Sequence, residues 1–339
     1  MGLGKTVQTL ALLLRRASDG PALVVAPTSV VANWVAEAER FAPGLNVVPY
    51  AGDRAQRREL LRSGPQPGDL FIATYGIVQN DIEAFSEVTW HTAVLDEAQA
   101  IKNPSTKRAR SAYRLKADFR MVTTGTPIQN NLMDLYALFR FINPGFLGSA
   151  AAYQRRFVLP IERDENEFVR DQLSQIISPF ILRRLKSEVL TDLPPRTEIT
   201  LAVDLSTDET AFYEALRRRA VDDLESRPTA QPGERRIELL AHLTRLRLAC
   251  CNPSLVQEKG APRSSKLAVF ADTLDELRAG EHKVLVFSQF VRHLKLVQDH
   301  LEAQGVPYQY LDGQTPARAR QERICLLYTS PSPRDSIAS

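Results

Sequence analysis

The sequence predicts an α/β protein built from two lobes, each with a doubly wound parallel sheet. Three observations carry this prediction: short apolar runs recur along the chain, amphipathic stretches separate them, and polar residues follow the ends of the runs. Parallel strands that are buried on both faces have this composition, and ligands bind beyond their carboxyl ends. At 339 residues the chain has the length of about two domains.

The first half of the chain alternates predicted helices with predicted strands. Apolar spacing predicts a helix over 7–16, which the turn residues Gly20-Pro21 end. Further helices are predicted over 30–41, with Thr28 or Ser29 as its cap, and near 54–62. Short buried runs predict five strands, at 22–26, 47–50, 70–74, 91–95 and 121–124.

The second half begins with helices and then returns to strand-like runs. The rigid connector Leu193-Pro194-Pro195-Arg196 marks the predicted domain boundary. We therefore assign 1–192 to a first lobe with a helical protrusion at about 131–186. Residues 193–323 form the N-terminal part of a second lobe with a helical insertion at about 208–250. The predicted strands of this part are 197–205, 283–287 and 308–311, and its helices are 208–224, 234–249, 264–278 and 294–304.

Composition excludes several classes of protein. Hydrophobic residues make up 44% and charged residues 24%, as in a soluble globular protein. The three cysteines have neither disulfide nor metal spacing, which indicates a reducing cytosol. No apolar run is long enough to cross a membrane, and no signal peptide is expected. The net charge of +3 is compatible with nucleic acid but is no argument for it.

The first six residues, Met1-Gly2-Leu3-Gly4-Lys5-Thr6, run directly into the first predicted helix. Gly2 and Gly4 allow the backbone to approach an anion, Lys5 brings a positive charge to phosphates, and the Thr6 hydroxyl can ligate Mg²⁺. The N–H groups at the start of the helix favour the same anion. The Gly-Lys-Thr triplet alone is a weak signal, because the first glycine of the full pattern and its strand would precede residue 1.

Two adjacent carboxylates, Asp96 and Glu97, follow the apolar run Ala93-Val94-Leu95. In nucleotide hydrolases with a phosphate-binding loop, an acid at this place holds Mg²⁺ and its neighbour orients the attacking water. We assign Asp96 to the metal and Glu97 to the water. The alternative is a helix N-terminus with acids in its first turn, and the glycine–lysine loop at the head of the same sheet favours the site.

Small hydroxyl residues end the next predicted strand, in the run Thr123-Thr124-Gly125-Thr126-Pro127. They can hydrogen-bond to the carboxylates and report the state of the site elsewhere. Composition alone favours a plain turn with a helix cap.

Taken in order, these motifs resemble those of the Swi/Snf-type ATPases of helicase superfamily two, in a bacterial branch. The resemblance extends to about residue 323, and the segments that carry it are Met1–Thr6, Leu23–Ser29, Asn33-Trp34, Ile72–Tyr75, Asp96–Gln99, Ile101–Asn103, Thr124–Leu132, Phe180–Arg184, Val284–Phe290 and Tyr310–Thr315. The Thr124–Leu132 run and the Ile-Lys-Asn after the acidic pair separate this family from ordinary RNA helicases. Trp34 and Trp90 are expected to be core aromatics.

The resemblance implies two RecA-like lobes with a P-loop, ATP and Mg²⁺ as cofactors, and a DNA-stimulated ATPase of the DEAD/DEAH-like class that moves along double-stranded DNA. Its implied catalytic residues are Lys5, Asp96, Glu97 and Gln99, and its phosphate and metal ligands are Gly2, Gly4, Lys5, Thr6 and Asp96. Coupling between ATP and DNA is implied for Gln99, Thr124, Gly125 and Thr126. The implied contacts to the DNA backbone are Thr28, Thr74, Tyr75, Ser288, Gln289, Gly313 and Thr315.

The same resemblance predicts a fragment that is truncated at both ends. The family has an adenine-recognising segment and the P-loop strand before the glycine–lysine loop, and an arginine-finger motif after the segment that ends near Arg323. Residues 324–339 lack core periodicity, resemble translated sequencing-adapter read-through and are expected to be an artefactual disordered tail. We therefore expect residues 1–339 to hydrolyse ATP poorly, with or without duplex DNA.

The function predicted from the sequence is that of an ATP-dependent double-stranded-DNA translocase in the bacterial cytoplasm, associated with the nucleoid. Contacts are expected mainly to DNA phosphates, with a nucleoprotein or transcription complex as a possible partner and no membrane. Two alternatives remain open: a non-catalytic DNA-binding fragment, and an RNA-dependent helicase of the same superfamily.

Overall fold

The computed structural model describes residues 3–125, 131–189, 197–226, 232–280 and 282–329. The chain forms two compact units, Met1–Pro195 and Arg196–Ser339. The predicted connector from Leu193 to Arg196 lies outside the described residues, so the domain bounds 1–192 and 193–323 stay a prediction.

The first unit contains a five-stranded sheet in which every pairing is parallel, with the order β2-β3-β1-β4-β5. All five strands that the sequence predicts are present. Their bounds are β1 Ala22–Ala26, β2 Asn46–Pro49, β3 Asp69–Thr74, β4 Thr89–Asp96 and β5 Lys116–Thr123. The charged start of β5 escapes the sequence pattern, but its pairing with Thr89 and Trp90 of β4 extends the strand.

Helices connect and flank these strands. Their bounds are α1 Lys5–Arg15, α2 Thr28–Phe41, α3 Arg54–Arg62, α4 Tyr75–Asn80, α5 Ile82–Glu87, α6 Lys107–Arg114, α7 Leu132–Ile142, α8 Ala150–Tyr153, α9 Leu159–Glu162, α10 Glu167–Ile177 and α11 Lys186–Val189. A π-helical turn joins α8 to α9, and 3₁₀ turns lie at Ala17–Asp19, Ala98–Ile101 and Ser178–Phe180. Thr28 is the first residue of α2 rather than its cap, which differs from the prediction.

The central strand β1 shows why the predicted strands read as continuous apolar runs. Leu23 and Val25 point into the core on one face of the sheet, whereas Val24 and Ala26 point into the core on the other. Side chains alternate across a strand, so a strand that is covered on both faces has no polar positions. Helices α1 and α2 supply the cover on the second face, through Leu10, Leu13 and Trp34 among others.

The predicted helical protrusion has a small core of its own. Aromatic side chains from α7 and from the helical stretch after it pack together, among them Tyr136, Phe139, Tyr153 and Phe157. Leu173 of α10 closes this cluster.

The second unit is helical in its described residues, with a 3₁₀ turn at Pro253–Leu255. Its helices are α12 Thr207–Glu225, α13 Pro232–Cys251, α14 Ser265–Ala279, α15 Val291–Ala303 and α16 Ala317–Thr329. A small cluster of Leu274, Val297 and Leu301 joins α14 to α15.

The strands predicted over 197–205, 283–287 and 308–311 are wrong as elements, because none of the described residues in these ranges is a strand. A strand needs a neighbour to accept and donate its ladder hydrogen bonds, and the described residues of this unit provide none. Phe287, for example, is 88% exposed.

The tail also differs from the prediction of disorder from residue 324. Helix α16 continues through Thr329, and residues 330–339 lie outside the described ranges. No proline or glycine interrupts the sequence between the start of α16 and Pro331, so the helix can extend to that point. Within the described residues, no helix has both the length and the apolar character needed to cross a membrane.

Candidate functional site

An acidic turn lies at the carboxyl end of β4. Asp96 is the last residue of the strand, and Thr123 of β5 is its Cα partner. The next residue, Glu97, has φ 47° and ψ 54°, in the left-handed region that side chains other than glycine rarely occupy. This backbone turn separates the two neighbouring carboxylates, to which the sequence analysis assigns different roles.

The Asp96 carboxylate is held by three donors. Trp34 Nε1 donates to Oδ2 at 2.8 Å, Thr123 Oγ1 donates to Oδ1 at 2.5 Å, and the Glu97 amide donates to Oδ1 at 2.9 Å. Each carboxylate oxygen has two lone pairs. Among the described residues, one lone pair of Oδ2 therefore remains for another ligand.

A second set of hydrogen bonds connects the acidic turn with the end of β5. Gln99 Nε2 donates to Glu97 Oε2 at 2.7 Å, and Thr124 Oγ1 donates to Gln99 Oε1 at 3.0 Å. The side chains of Glu97, Gln99 and Thr124 thus form a continuous chain. Coupling roles are predicted for Gln99 and Thr124, and the structure brings these two side chains into contact.

Tyr75 is also directed to the acidic turn. Its hydroxyl donates to the main-chain oxygen of Asp96 at 2.8 Å, and the residue is 6% exposed. Burial, reinforced by the nearby charge of Asp96, raises the pKa of Tyr75 far above its ordinary value, so the phenol keeps its proton. The hydroxyl is therefore engaged inside the lobe, and the contact of Tyr75 with DNA stays a prediction.

The start of α1 has the backbone expected of a phosphate-binding loop. Gly4 precedes the helix with φ 69°, a conformation that favours glycine, and it is exposed. In the part of the chain that the structure describes, no side chain caps the helix, and its first turn contains no acidic residue. The N–H groups of this turn are therefore available to an anion. Gly2, also predicted to bind phosphate, lies outside the described residues.

Contacts near the C-terminus of α1 indicate how this helix lies on the sheet. Arg16, just after the helix, donates from Nε to Thr92 Oγ1 at 3.1 Å, near the amino end of β4. An 11-residue helix spans about 16 Å, and β4 rises about 13 Å from Thr92 to Asp96. Because Leu10 and Leu13 pack in the cluster on the second face of the sheet, these lengths are compatible with an N-terminus of α1 at the edge of the sheet where Asp96 lies.

Lys5 and Thr6 occupy the first two positions of this helix and are partly exposed. Among the described residues, no carboxylate lies within ion-pair distance of the Lys5 ammonium. No group of three or more His, Cys, Asp or Glu side chains in the described ranges can hold a metal on its own. The remaining Asp96 lone pair and the Thr6 hydroxyl are hard oxygen donors, which fit Mg²⁺ when phosphates complete its coordination.

Two of the residues predicted to contact DNA lie at the carboxyl edge of the same sheet. Thr28 is exposed, two residues after the end of β1, and Thr74 ends the neighbouring strand β3. The Thr74 hydroxyl accepts a hydrogen bond from the Ile77 amide and so caps α4. Gly125 is exposed after β5, and Thr126 lies outside the described residues.

The other predicted DNA contacts belong to the second unit. Ser288 Oγ accepts a hydrogen bond from the Phe290 amide, and Gln289 Oε1 accepts one from Arg247 Nη2 at 2.8 Å. Thr315 Oγ1 donates to Asp312 Oδ1 at 3.0 Å in a turn that leaves Gly313 exposed. The Asp312 pKa is lowered, chiefly by this hydrogen bond.

Sequence reasoning missed the contact of Trp34 with the acidic pair. Trp34 was expected to be a core aromatic, which its 2% exposure confirms, but its indole also bonds to Asp96. Thr123, in contrast, belongs to the hydroxyl-rich run that is predicted to hydrogen-bond to the carboxylates, and its bond to Asp96 agrees with that prediction. One available signal was general: a buried tryptophan usually finds an acceptor for its N–H.

Comparison with known proteins gives a consistent result. A family model described as the SNF2-related domain matches residues 1–255. A Bacillus subtilis protein named as the putative ATP-dependent helicase/translocase YwqA is 36% identical over 339 residues, which cover 96% of this chain and 36% of that protein. A human SWI/SNF-related regulator of chromatin, subfamily A member 1, is 34% identical over 341 residues, covering 96% of this chain and 32% of that protein.

A solved structure extends the likeness to the fold. The SWI2/SNF2 ATPase core of Sulfolobus solfataricus in complex with double-stranded DNA is 31% identical, with a TM-score of 0.53, and the match covers 98% of this chain and 70% of that one. The predicted fold class, an α/β protein with RecA-like lobes, is thereby confirmed. The chain spans about a third of the length of the curated relatives that it matches. On the family model and these relatives together, the chain belongs to the SNF2-related family of Swi/Snf-type ATPases.

Proposed function

We propose that this protein is a motor that binds Mg·ATP at the carboxyl edge of its first sheet and couples hydrolysis to movement along double-stranded DNA. The observation that carries the proposal is the acidic turn: a buried aspartate held by three donors, followed by a glutamate in a left-handed conformation. Such a strained and polar arrangement is uncommon in purely structural turns, whereas active sites often contain one.

Nucleotide binding is assigned to the start of α1. Gly2, Gly4 and the N–H groups of the first helical turn would surround the phosphates, and Lys5 would neutralise their charge. Thr6 and Asp96 would hold Mg²⁺, which supplies electrostatic stabilisation of the phosphates when it is bound. The exposed start of α1, which has no side-chain cap, supports this assignment.

Hydrolysis is assigned to Glu97, which would orient the attacking water. Its Oε2 accepts a hydrogen bond from Gln99, and Gln99 in turn accepts one from Thr124. A change in the position of Thr124 would therefore move the Glu97 carboxylate. This contact supports a coupling role for Gln99, Thr124, Gly125 and Thr126 between ATP and DNA.

The DNA contacts proposed are those to the phosphate backbone. They come from Thr28, Thr74 and Tyr75 in the first unit and from Ser288, Gln289, Gly313 and Thr315 in the second. Hydroxyl, amide and glycine positions suit backbone contacts that carry no sequence information. The Sulfolobus relative in complex with double-stranded DNA favours duplex DNA over RNA. A DNA motor with a bacterial relative would work at the nucleoid, on nucleoprotein or transcription complexes.

The test is the mutual effect of ATP and nucleic acid on binding. The affinity of the 339-residue chain for a fluorescent ATP analogue with Mg²⁺ is measured alone, with duplex DNA and with RNA of equal length. Linkage requires that DNA raise the affinity for ATP by the same factor as ATP raises the affinity for DNA. We expect this coupling for duplex DNA only.

The other outcomes identify the alternatives. Coupling to RNA but not to DNA would indicate an RNA-dependent helicase. Salt-sensitive binding of DNA without any binding of ATP would indicate a non-catalytic DNA-binding protein.

A further inference from the structure

The chain has two tryptophans, and both are buried, but their indole N–H groups have different acceptors. Trp34 is 2% exposed and donates to the side-chain oxygen Oδ2 of Asp96 at 2.8 Å. Trp90 is fully buried and donates to the main-chain oxygen of Phe85 at 3.4 Å. Of these two hydrogen bonds, only the one from Trp34 is made to a residue with a role in the proposed function, because Asp96 is the proposed metal ligand.

The bond to Trp34 determines what Asp96 can offer. Thr123 and the Glu97 amide together use both lone pairs of Oδ1, and Trp34 uses one of the two on Oδ2. The carboxylate is therefore fixed at both oxygens, and one lone pair of Oδ2 is left. A rotation about the Cβ–Cγ bond would break all of these bonds at once.

Packing alone does not require this donor. Trp34 lies in α2 and packs in the aliphatic cluster on the second face of the sheet, which includes Ala38 of the same helix and the strand residues Val24 and Val94. A phenylalanine would supply an aromatic ring to the same cluster without an N–H group. The hydrogen bond to a buried carboxylate is thus the feature that distinguishes tryptophan at this position.

We propose that Trp34 is a positioning residue for the metal ligand Asp96: its indole N–H fixes the carboxylate so that the remaining Oδ2 lone pair is directed to Mg²⁺. The proposal rests on the assignment of Asp96 to the metal. It adds a residue 62 positions away in the sequence, on a different element, to the machinery of the site. Because Thr28 begins the same helix, α2 also joins a proposed DNA contact to the metal ligand.

The first test compares Trp34→Phe with Trp90→Phe, which removes a buried indole that does not touch the site. The Mg²⁺ concentration needed for half-maximal binding of the ATP analogue is measured in residues 1–339. Loss of a residue that orients a metal ligand weakens metal binding about tenfold or more, so we expect this shift for W34F and less than about twofold for W90F. Binding of ATP in the absence of Mg²⁺ should be equal in the two variants.

The second test does not depend on the tolerance of the core for phenylalanine. Replacing the indole of Trp34 by benzothiophene keeps the fused ring system but substitutes sulfur for the N–H group, and it should reproduce the W34F shift. In a separate NMR experiment, the unmodified chain is labelled with ¹⁵N-tryptophan, which gives one indole N–H signal for each tryptophan. Each signal is assigned because it is absent from the spectrum of the corresponding Phe variant. Adding Mg²⁺ to the nucleotide-bound chain should move the Trp34 signal and leave the Trp90 signal in place.

The outcomes separate this proposal from the function on which it rests. If Asp96→Asn abolishes the Mg²⁺-dependence of ATP binding while W34F and the benzothiophene chain behave like wild type, Trp34 has no positioning role and the site assignment stands. An Mg²⁺-insensitive Trp34 signal in a chain that does bind Mg·ATP would likewise overturn the positioning role alone. If wild type shows no Mg²⁺-dependent binding of ATP, both proposals are overturned.

Discussion

Glu97 adopts a backbone conformation that a glutamate avoids. Its φ of 47° follows directly on the last residue of β4 and turns the chain away from the sheet. A side chain other than glycine costs about 1–2 kcal/mol in this region. The proposed role of the carboxylate would account for a glutamate in this conformation, and the Gln99 side chain donates a hydrogen bond to that carboxylate.

This strain can be measured with two substitutions. Glu97→Ala and Glu97→Gly both remove the carboxylate, but only glycine relieves the left-handed conformation. We expect Glu97→Gly to be more stable than Glu97→Ala by about 1 kcal/mol in urea denaturation. Equal stabilities would mean that the backbone at residue 97 is not strained in solution.

The sequence predicts the chemistry-bearing residues of the site better than the residues that support them. Asp96, Glu97 and Lys5 follow from local motifs, because their residue types and positions after strands or before a helix are visible in a few letters. The contacts of Trp34 and Tyr75 with Asp96 join residues 62 and 21 positions apart. Such contacts depend on how α2 and α4 lie on the sheet, which no local pattern determines.

At the scale of elements, Glu209 joins two helices of the second unit. It forms a capping box with Ser206 at the start of α12, and its Oε1 accepts a hydrogen bond from the Ser265 amide at the start of α14. The Ser265 hydroxyl donates to Oε2. Burial by itself raises the pKa of Glu209, but the hydrogen bonds from Ser265 and Ser206 outweigh it and the pKa is lowered.

We therefore expect Glu209→Ala to lower the free energy of unfolding by about 1–3 kcal/mol, because it removes the charged acceptor of hydrogen bonds from Ser206 and Ser265. Since the pKa of the folded state is lowered, this contribution is present above the ordinary pKa and is lost as the pH falls through the lowered value. The control is Glu214→Ala on the same helix, where the exposed pair with Arg217 contributes little. A loss no larger than that of the control in urea denaturation would contradict the role of Glu209.

A histidine in α15 gives the second unit a pH dependence at higher pH. His293 Nδ1 is buried and has no hydrogen-bond partner among the described residues. Burial, with the nearby positive charge of Lys266, lowers the pKa of His293 below its ordinary 6.5. The stability that depends on neutral His293 is present above pH 6.5 and is lost as the pH falls toward the lowered value.

Stability should accordingly decline as the pH falls below 6.5, by less than about 1.4 kcal/mol per pH unit. Substituting His293→Gln removes the titrating group and should flatten this part of the profile. Thermal unfolding of both chains across this pH range provides the measurement. Parallel profiles would show that His293 is not the group responsible.

The sequence correctly predicts the strands of the first unit, whereas the strands that it predicts in the second unit are not found among the described residues. Each predicted strand of the first sheet has a parallel neighbour, so the apolar run and the ladder agree. The run 283–287 has the same composition but no paired neighbour among the described residues, and Leu285 and Phe287 are exposed. Composition indicates that a segment can be a strand, but a partner elsewhere in the chain decides whether it is one.

For the whole molecule, we expect binding of duplex DNA that depends on salt rather than on sequence. The net charge is only +3, so binding must come from local contacts to phosphates and not from a strongly basic surface. Two phosphates neutralised by lysine or arginine side chains would be enough to lower the affinity about tenfold between roughly 50 and 200 mM salt. Fluorescence anisotropy with duplexes of equal length and unrelated sequence measures both properties, and affinity that varies strongly with sequence would contradict backbone binding.

The central claim is that Lys5 and Asp96 act on one nucleotide–metal centre, and ATP binding by two variants tests it directly. Lys5→Ala should weaken binding of ATP with or without Mg²⁺, because the ammonium acts on the phosphates. Asp96→Asn should weaken binding about tenfold or more, but only when Mg²⁺ is present, because its carboxylate acts through the metal. Asp118→Asn, an exposed change near the amino end of β5, is the control. Wild-type affinity in either variant, or an Asp96→Asn effect that persists without Mg²⁺, would contradict the account.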